Sequence, residues 1–389
     1  MKIGFIGLGK LGKPVAEEIA KEYTVIGYDT ADVDIERVDV KKSIADVCKG
    51  TDIIFIAVPT PHHKDYDGSQ PTSHLEVKDF DYSVVESVLA EVEKYTKKGQ
   101  IVSLISTVLP GTTRKLAQTL TKATLLYNPY LIAMSTVKND FRDPEMIIIG
   151  QEDSSADWAA EKLKQFYEPL VVLDTRYETG TWEEAESIKI FYNTWISAKI
   201  SISNTVQDVA EGLGNINVDK VTDALSRSNM RIVSSAYMRA GVGDGGPCHP
   251  RDNIALSYLA NQLNLGYDLF QDVMKTREQQ ARNKAMWLVQ QNMPIVILGT
   301  RYKKGTLLED GSYSLLVGWY AEKEGGSVTY YDPELRPNQL PEKPAAFFIS
   351  FWEDWIKHLG LPQGSVALDP WRTTNTFEGV MMKRWGNTH

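Results

Sequence analysis

Residues 1–30 read MKIGFIGLGKLGKPVAEEIAKEYTVIGYDT, and the glycines at 7, 9 and 12 decide how the rest is read. Ile3, Phe5 and Ile6 make the short apolar run a buried strand needs, and Val15, Ala16 and Ile19 recur at helical spacing after the last glycine. Thr24–Tyr28 supplies a second strand, closed by Asp29, which stands 20 residues beyond Gly9. G-x-G-x-x-G between a strand and a helix is the form of a dinucleotide-binding turn: bare backbone approaches a pyrophosphate, whose charge rests on the free N–H groups opening the helix. Asp29 would accept hydrogen bonds from a ribose 2′-OH and repel a 2′-phosphate, which favours NAD over NADP. The plainer alternative is a glycine-rich turn with no ligand; the flanking strands and the terminal acid weigh against it.

Outward from this turn, apolar runs at 53–58, 101–105, 124–126, 146–149 and 170–173 predict further strands of a parallel sheet, with helix-compatible segments such as 81–98 and 155–167 between them. Residues 183–211 contain no proline or glycine and repeat apolar residues at helical spacing, predicting a helix of roughly 43 Å at about 1.5 Å per residue. Helical patterns at 219–226 and 254–283 flank a glycine-rich loop at 241–252. Strand texture returns at 295–298, 327–331, 345–350 and 365–368, with Pro333, Pro337, Pro341 and Pro344 marking a loop. The expected class is α/β: two Rossmann-like doubly wound domains joined by a long central helix and a helical middle region. The expected division is an NAD-binding domain at 1–178, a helical region at 179–290 and a second Rossmann-like domain at 291–389.

Composition narrows the function. With 42 Lys+Arg against 51 Asp+Glu the net charge is −9, which argues against a nucleic-acid partner. Two cysteines cannot build a disulfide framework, so a reducing, cytoplasmic setting is expected. No run approaches eighteen apolar residues, so no membrane span is expected, and residues 3–8 are too short and glycine-rich for a signal peptide.

The segment 241–252, GVGDGGPCHPRD, carries four glycines and two prolines around Cys248. A cysteine is strongly nucleophilic even when mostly protonated. Arg251, and His249 if protonated, could favour its thiolate, and Asp252 could act as a base. The alternative is a small buried residue in a structural turn. Beside a dinucleotide domain a thiol enables a specific chemistry: it adds to an aldehyde, the adduct loses a hydride to NAD, and water cleaves the resulting thioester. Cys48, in a helical stretch without glycines, reads as packing. The histidines show no metal spacing, and His62 and His63 read as loop residues.

These pieces together resemble the UDP-glucose/GDP-mannose 6-dehydrogenase family. The matching stretches are GLGKLGKP at 7–14, AVPTP at 57–61, STVLPGTT at 106–113, AESIKIFYN at 185–193, Lys199-Ile200 with Asn204, Arg231-Ile232, GDGGPCHPRD at 243–252, and 299–303 ahead of Tyr331-Asp332-Pro333. The resemblance implies Cys248 as the nucleophile, Lys189 and Asn193 as oxyanion stabilisers, and Asp252 with Thr107 as the pair that positions and activates water. It implies Val58, Pro59, Thr60, Ser106 and Thr107 as cofactor contacts beside Gly7, Gly9, Lys10, Leu11, Gly12 and Asp29. Tyr130, Leu131, Arg231 (reaching across a dimer interface), Tyr237, Gly243, Gly245, Gly246 and Lys303 would meet the substrate. A pyrophosphate on a −9 protein needs concentrated positive charge, for which Lys189, Arg231, Arg239, Arg251 and Lys303 are the candidates. The implied reaction is a four-electron oxidation of a nucleotide-linked hexose, foremost a UDP-hexose, at C6, consuming two NAD, in a homodimer without metal.

The chain departs from the family pattern in three places. Tyr130 and Met134 stand where the family has glutamates. Residues 308–312, LEDGS, stand where it has D-x-R-x-S, and Arg251 replaces a lysine. Two rivals remain open: a β-hydroxyacid dehydrogenase, which performs one hydride transfer and needs no cysteine, and a nucleotide-sugar binder without activity.

Overall fold

The computed structural model describes residues 1–387 except 62–74, 77, 134, 173, 235, 237–239 and 247–248, and the backbone alone at 200, 204, 251, 252 and 255. His62, His63, Met134, Tyr237, Arg239 and Cys248 therefore lie outside the described residues. The chain divides into two compact units, Met1–Ile200 and Ser201–His389.

In the first unit, β1 (Lys2–Ile6), α1 (Gly12–Ile19) and β2 (Thr24–Tyr28) form the expected strand–turn–helix–strand. The chain continues through β3 (Val38–Val40), α2 (Ile44–Cys48), β4 (Ile53–Ile56), α3 (Ser83–Tyr95), β5 (Ile101–Leu104), α4 (Thr112–Ala117) and β6 (Thr124–Tyr127). Then come α5 (Val137–Arg142), β7 (Ile147–Gln151), α6 (Asp157–Tyr167), β8 (Tyr177–Thr181) and α7 (Trp182–Leu213). Among the described residues the sheet order is β3-β2-β1-β4-β5-β6-β7-β8. Strand side chains alternate between faces, and both faces are buried: Ile3, Phe5, Ile53 and Phe55 join one apolar cluster, Ile6, Ile54 and Ile56 the other. Each such fully buried side chain contributes about 1.5–3 kcal/mol of hydrophobic stabilisation.

The second unit holds α8 (Val218–Ser226), α9 (His249–Gln262) and α10 (Leu269–Val289), then β9 (Ile295–Leu298), α11 (Tyr313–Lys323), β10 (Val328–Tyr331), β11 (Ala346–Ile349), α12 (Asp354–Lys357), β12 (Val366–Asp369) and β13 (Met381–Arg384). Its described strands form a parallel sheet ordered β10-β9-β11-β12-β13. The chain leaves β9 at the point where the order reverses, which is where doubly wound sheets open a ligand crevice.

Four expectations need correction. The first sheet is not parallel throughout, because β7 pairs antiparallel with β6. Residues 170–172 form no strand; Leu170 is buried at the end of the α6 turn, and the strand that follows is β8. The pattern at 254–283 is two helices, because Asn264 and Gly266 take positive φ (52° and 78°) and Asp268 caps α10 by accepting from the Gln271 N–H. The loop expected at 241–252 ends early, since α9 already begins at His249.

Candidate active site

The three glycines of the first turn do different things. Gly7 has φ +95° and a Cβ there would lie 2.6 Å from the Ala57 carbonyl oxygen. A Cβ on Gly12 would overlap the Gly7 carbonyl oxygen, so this glycine lets α1 pack against the turn. At Gly9 a Cβ would meet nothing within 4 Å. The space it faces belongs to a cleft of about 630 Å³. Helix α1 opens there with no acidic residue in its first turn and no side chain capping it; the Lys13 N–H donates to the Gly9 carbonyl and Pro14 has none, so the Gly12 N–H is the leading group left to an anion.

Gly7, Gly9, Lys10, Leu11, Gly12, Asp29, Val58, Pro59, Thr60, Ser106 and Thr107 all line this cleft, as do Tyr130 and Lys189. Asp29 at the end of β2 accepts from the Leu8 N–H (2.6 Å) and the Ala31 N–H (2.9 Å), which fixes its carboxylate and leaves further lone pairs for a ligand hydroxyl. The loops after β4 and β5 are stitched together by Ser106 Oγ donating to the Val58 carbonyl (2.6 Å) and Thr60 Oγ1 donating to the Thr107 carbonyl (2.7 Å). Sequence reasoning also missed Tyr28, Thr30, Val84, Val88 and Ile132 as lining residues. Val84 and Val88 were legible, since their i, i+4 spacing puts both on one face of α3.

Lys189 is no solvated helix charge. It is 9% exposed, its Nζ donates to the Tyr130 carbonyl at 2.7 Å, and burial pushes its pKa down. A lysine whose proton is loosened by desolvation can donate to a developing oxyanion and release a proton readily. Asn193, one turn on, is exposed and does not line the cleft. Tyr130 turns its hydroxyl away from solvent. It meets the Tyr167 hydroxyl at 3.3 Å; Tyr167 donates to Asn128 Oδ1, and Asn128 Nδ2 donates to the Ile148 carbonyl. Burial raises the pKa of Tyr130, so this phenol is no base at neutral pH. Leu131 packs at the edge of the second apolar cluster rather than in the cleft.

A further residue escaped sequence reasoning. Glu186, fully buried on α7 one turn before Lys189, accepts from the Gly111 N–H (2.5 Å) and the Thr113 N–H (2.6 Å). It thus joins the lysine-bearing helix to the segment that begins at Ser106 and Thr107. Burial raises its pKa. A glutamate on the same face as Trp182, Ala185 and Lys189 was the available signal.

The other expected residues lie in the second unit. Arg231 is exposed after α8, and Lys303 is exposed with its Nζ 5.9 Å from the Tyr302 ring centroid. Gly243, Gly245 and Gly246 press against protein: a Cβ on them would lie 2.6 Å from the Tyr313 ring, 2.7 Å from the Gly311 carbonyl oxygen and 2.7 Å from the Tyr302 ring. Asp252 stands in the first turn of α9. Arg301 is tied to Asp332 by two bonds of 2.9 Å and to Glu334 at 3.0 Å, so the cation nearest the end of β9 is already neutralised. Cys48 is buried in α2, and burial pushes its thiol up to about 12, an inert packing residue. Among the described residues no three His, Cys, Asp or Glu side chains are grouped as a metal site, and no helix is long and apolar enough to cross a membrane.

Comparison with known proteins gives the same direction. Residues 37–171 match the NAD binding domain, and residues 183–279 the central domain, of the UDP-glucose/GDP-mannose dehydrogenase family; residues 2–70 match the NAD binding domain of 6-phosphogluconate dehydrogenase. GDP-mannose 6-dehydrogenase of Pseudomonas aeruginosa is 28% identical over 353 residues, covering 79% of this chain and 75% of that one. UDP-glucose 6-dehydrogenase of Gallus gallus is 26% identical over 382 residues, covering 87% and 75%. The crystal structure of a GDP-mannose dehydrogenase from Pseudomonas aeruginosa shares the fold, with a TM-score of 0.81 over 98% of this chain and 99% of that one at 21% identity. The two models of one family together span more than half of the chain, over a fold whose glycine turn opens on the cleft lined by Gly9 and Asp29. The chain accordingly belongs to the UDP-glucose/GDP-mannose dehydrogenase family, NAD-dependent oxidoreductases that act on nucleotide sugars.

Proposed function

We propose that the chain is a nucleotide-sugar 6-dehydrogenase that oxidises the C6 primary alcohol of a UDP- or GDP-hexose to the uronate through Cys248, with the NAD-binding part at 1–178, the catalytic helices at 179–290 and the nucleotide-sugar part at 291–389. The observation that carries this reading is Lys189: a desolvated lysine lining the cleft whose other walls are the dinucleotide turn and the loops at Val58 and Ser106. Bound NAD supplies a hydride acceptor; the open side of Gly9, the α1 N-terminus and Asp29 are the groups that would hold it.

The protein's own part follows from its chemistry. The alcohol loses two electrons and two hydrogens to become the aldehyde. The Cys248 thiol adds to that carbonyl, the thiohemiacetal is oxidised to a thioester, and water cleaves the thioester to carboxylate and free thiol. Lys189, with Asn193, is the donor for oxygen charge at C6, worth about 3–4 kcal/mol in comparable sites. Thr107 and Asp252 position the water, while Arg231, Tyr237 and Lys303 contact the nucleotide sugar. Exposed Phe191 and Trp195, i, i+4 on α7, support a second copy of the chain as partner.

The test is stoichiometric: NAD is supplied with a panel of UDP- and GDP-hexoses, and NADH is counted per sugar consumed. Two per sugar, lost in Cys248→Ala, is the expected result. Unchanged turnover in Cys248→Ala would favour the single-transfer β-hydroxyacid chemistry. One NADH per sugar would mean that oxidation stops short of the carboxylate.

A further inference from the structure

We propose that Arg277 is a positioning residue for the reaction, holding the glycine loop that leads into Cys248 against the turn that follows β9; this rests on Cys248 being the nucleophile. Arg277 lies on α10 with its side chain 14% exposed. Its Nε donates to the Asp244 carbonyl at 3.0 Å and faces the Asp244 carboxylate at 2.7 Å, while Nη2 donates to the Gly311 carbonyl at 2.8 Å. Its guanidinium carbon stands 5.7 Å from the Tyr313 ring centroid. One planar fork thus ties three elements: α10, the glycine loop and the turn between β9 and α11.

The glycines make the grip close. Gly245 and Gly246 face Gly311 backbone to backbone: a Cβ on Gly311 (φ +63°) would lie 2.5 Å from the Gly246 carbonyl oxygen, and one on Gly245 2.7 Å from the Gly311 carbonyl oxygen. Gly241 faces the Trp371 ring in the same way. The anchored stretch ends at Gly246 and α9 begins at His249, so only Pro247 and Cys248 lie between two fixed points in sequence. The turn that Arg277 grips leaves the first strand of a doubly wound sheet, at the end where nucleotides bind. The same contacts therefore link the turn after β9 to Gly246, two residues before the thiol in sequence. A lysine offers one point charge in place of this planar fork and does not reproduce its geometry.

The test uses the full chain. In Arg277→Ala, kcat for nucleotide-sugar oxidation falls roughly 100-fold, the cost of a reactive group misplaced by about 1 Å, while the affinity for NAD stays that of the parent. Alkylation of Cys248 by iodoacetamide, read by peptide mass, changes rate in the same variant. Arg277→Lys, which keeps the charge and is checked for folding by the same melting curve as the parent, recovers only part of kcat. Unchanged kcat and alkylation rate in Arg277→Ala, with Cys248→Ala inactive, would overturn the proposal alone. Full turnover in Cys248→Ala would overturn the cysteine reading and this proposal with it.

Discussion

Two glycine-rich turns of the chain both bring backbone against protein, at Gly7 and Gly12 in the first and at Gly241, Gly243, Gly245 and Gly246 in the second, and they part company at Gly9. In the first unit Gly9 faces open space at the mouth of a cleft, and the missing side chain leaves room for a ligand. In the second, Gly241, Gly243, Gly245 and Gly246 face Trp371, Tyr313, Gly311 and Tyr302, and the missing side chains leave room for the protein itself. Ionic side chains brace both regions: Asp29 accepts from the Leu8 N–H within the first turn and Glu186 holds the segment beside its cleft, while Arg277 holds the second loop. A glycine motif in a sequence therefore says that backbone must come close to something. The structure says to what.

The largest effect expected from breaking this contrast is at Gly12. Alanine there overlaps the Gly7 carbonyl oxygen, which is backbone and cannot swing aside. Gly12→Ala should destabilise the first unit by about 3 kcal/mol and remove NAD binding, read by denaturant unfolding and a cofactor titration. Gly246→Ala comes next, combining φ +82° with a Cβ 2.7 Å from the Tyr302 ring. The expected cost is about 2 kcal/mol. It should fall on the second unit, with NAD affinity retained; loss of NAD affinity in this variant would blur the division between the two turns.

Glu186→Gln sharpens the role of the buried carboxylate. The amide keeps one acceptor but brings a donor against a backbone N–H, a loss of about 1 kcal/mol. The carboxyl has its pKa raised in the fold above the ordinary 4.5, chiefly by burial. Its contribution is therefore greatest below that ordinary value, where both states are protonated. It declines as pH rises through the raised value and is level above it. Melting curves of parent and Glu186→Gln, compared at acid and neutral pH, should show the parent's relative stability falling as pH rises. A difference independent of pH would remove the ionised carboxylate from the account.

How much of this was legible in the sequence depended on burial. β2 was read to the residue, and β1 and β4 nearly so, because buried strands of a parallel sheet carry continuous apolar runs. β3, β8 and β13 were missed, since Val38–Val40, YETGT and MMKR are edge strands with mixed composition and half-buried positions. Leu170 misled for the converse reason: it is apolar because it packs at the end of a helix. Much of the lining of the first unit's cleft followed from the glycine turn and from family-like segments. Glu186 and Arg277 did not, because a buried carboxylate and a buried guanidinium read in sequence as ordinary helix charges, and only their partners across the fold reveal their use.

The smallest effect on stability, and the most discriminating, is expected at Gly9. Alanine there meets nothing within 4 Å, so the fold should change by no more than about 0.5 kcal/mol. The open space is where a pyrophosphate would press on the backbone, so a methyl group should weaken NAD by at least roughly tenfold, or about 1.4 kcal/mol. Calorimetric unfolding of the free protein and cofactor titration of the same sample read the two quantities separately. A Gly9→Ala protein that binds NAD like the parent would show that the emptiness beside Gly9 is incidental, and the distinction between a turn opened for a ligand and a loop closed on the protein would fail at its clearest position.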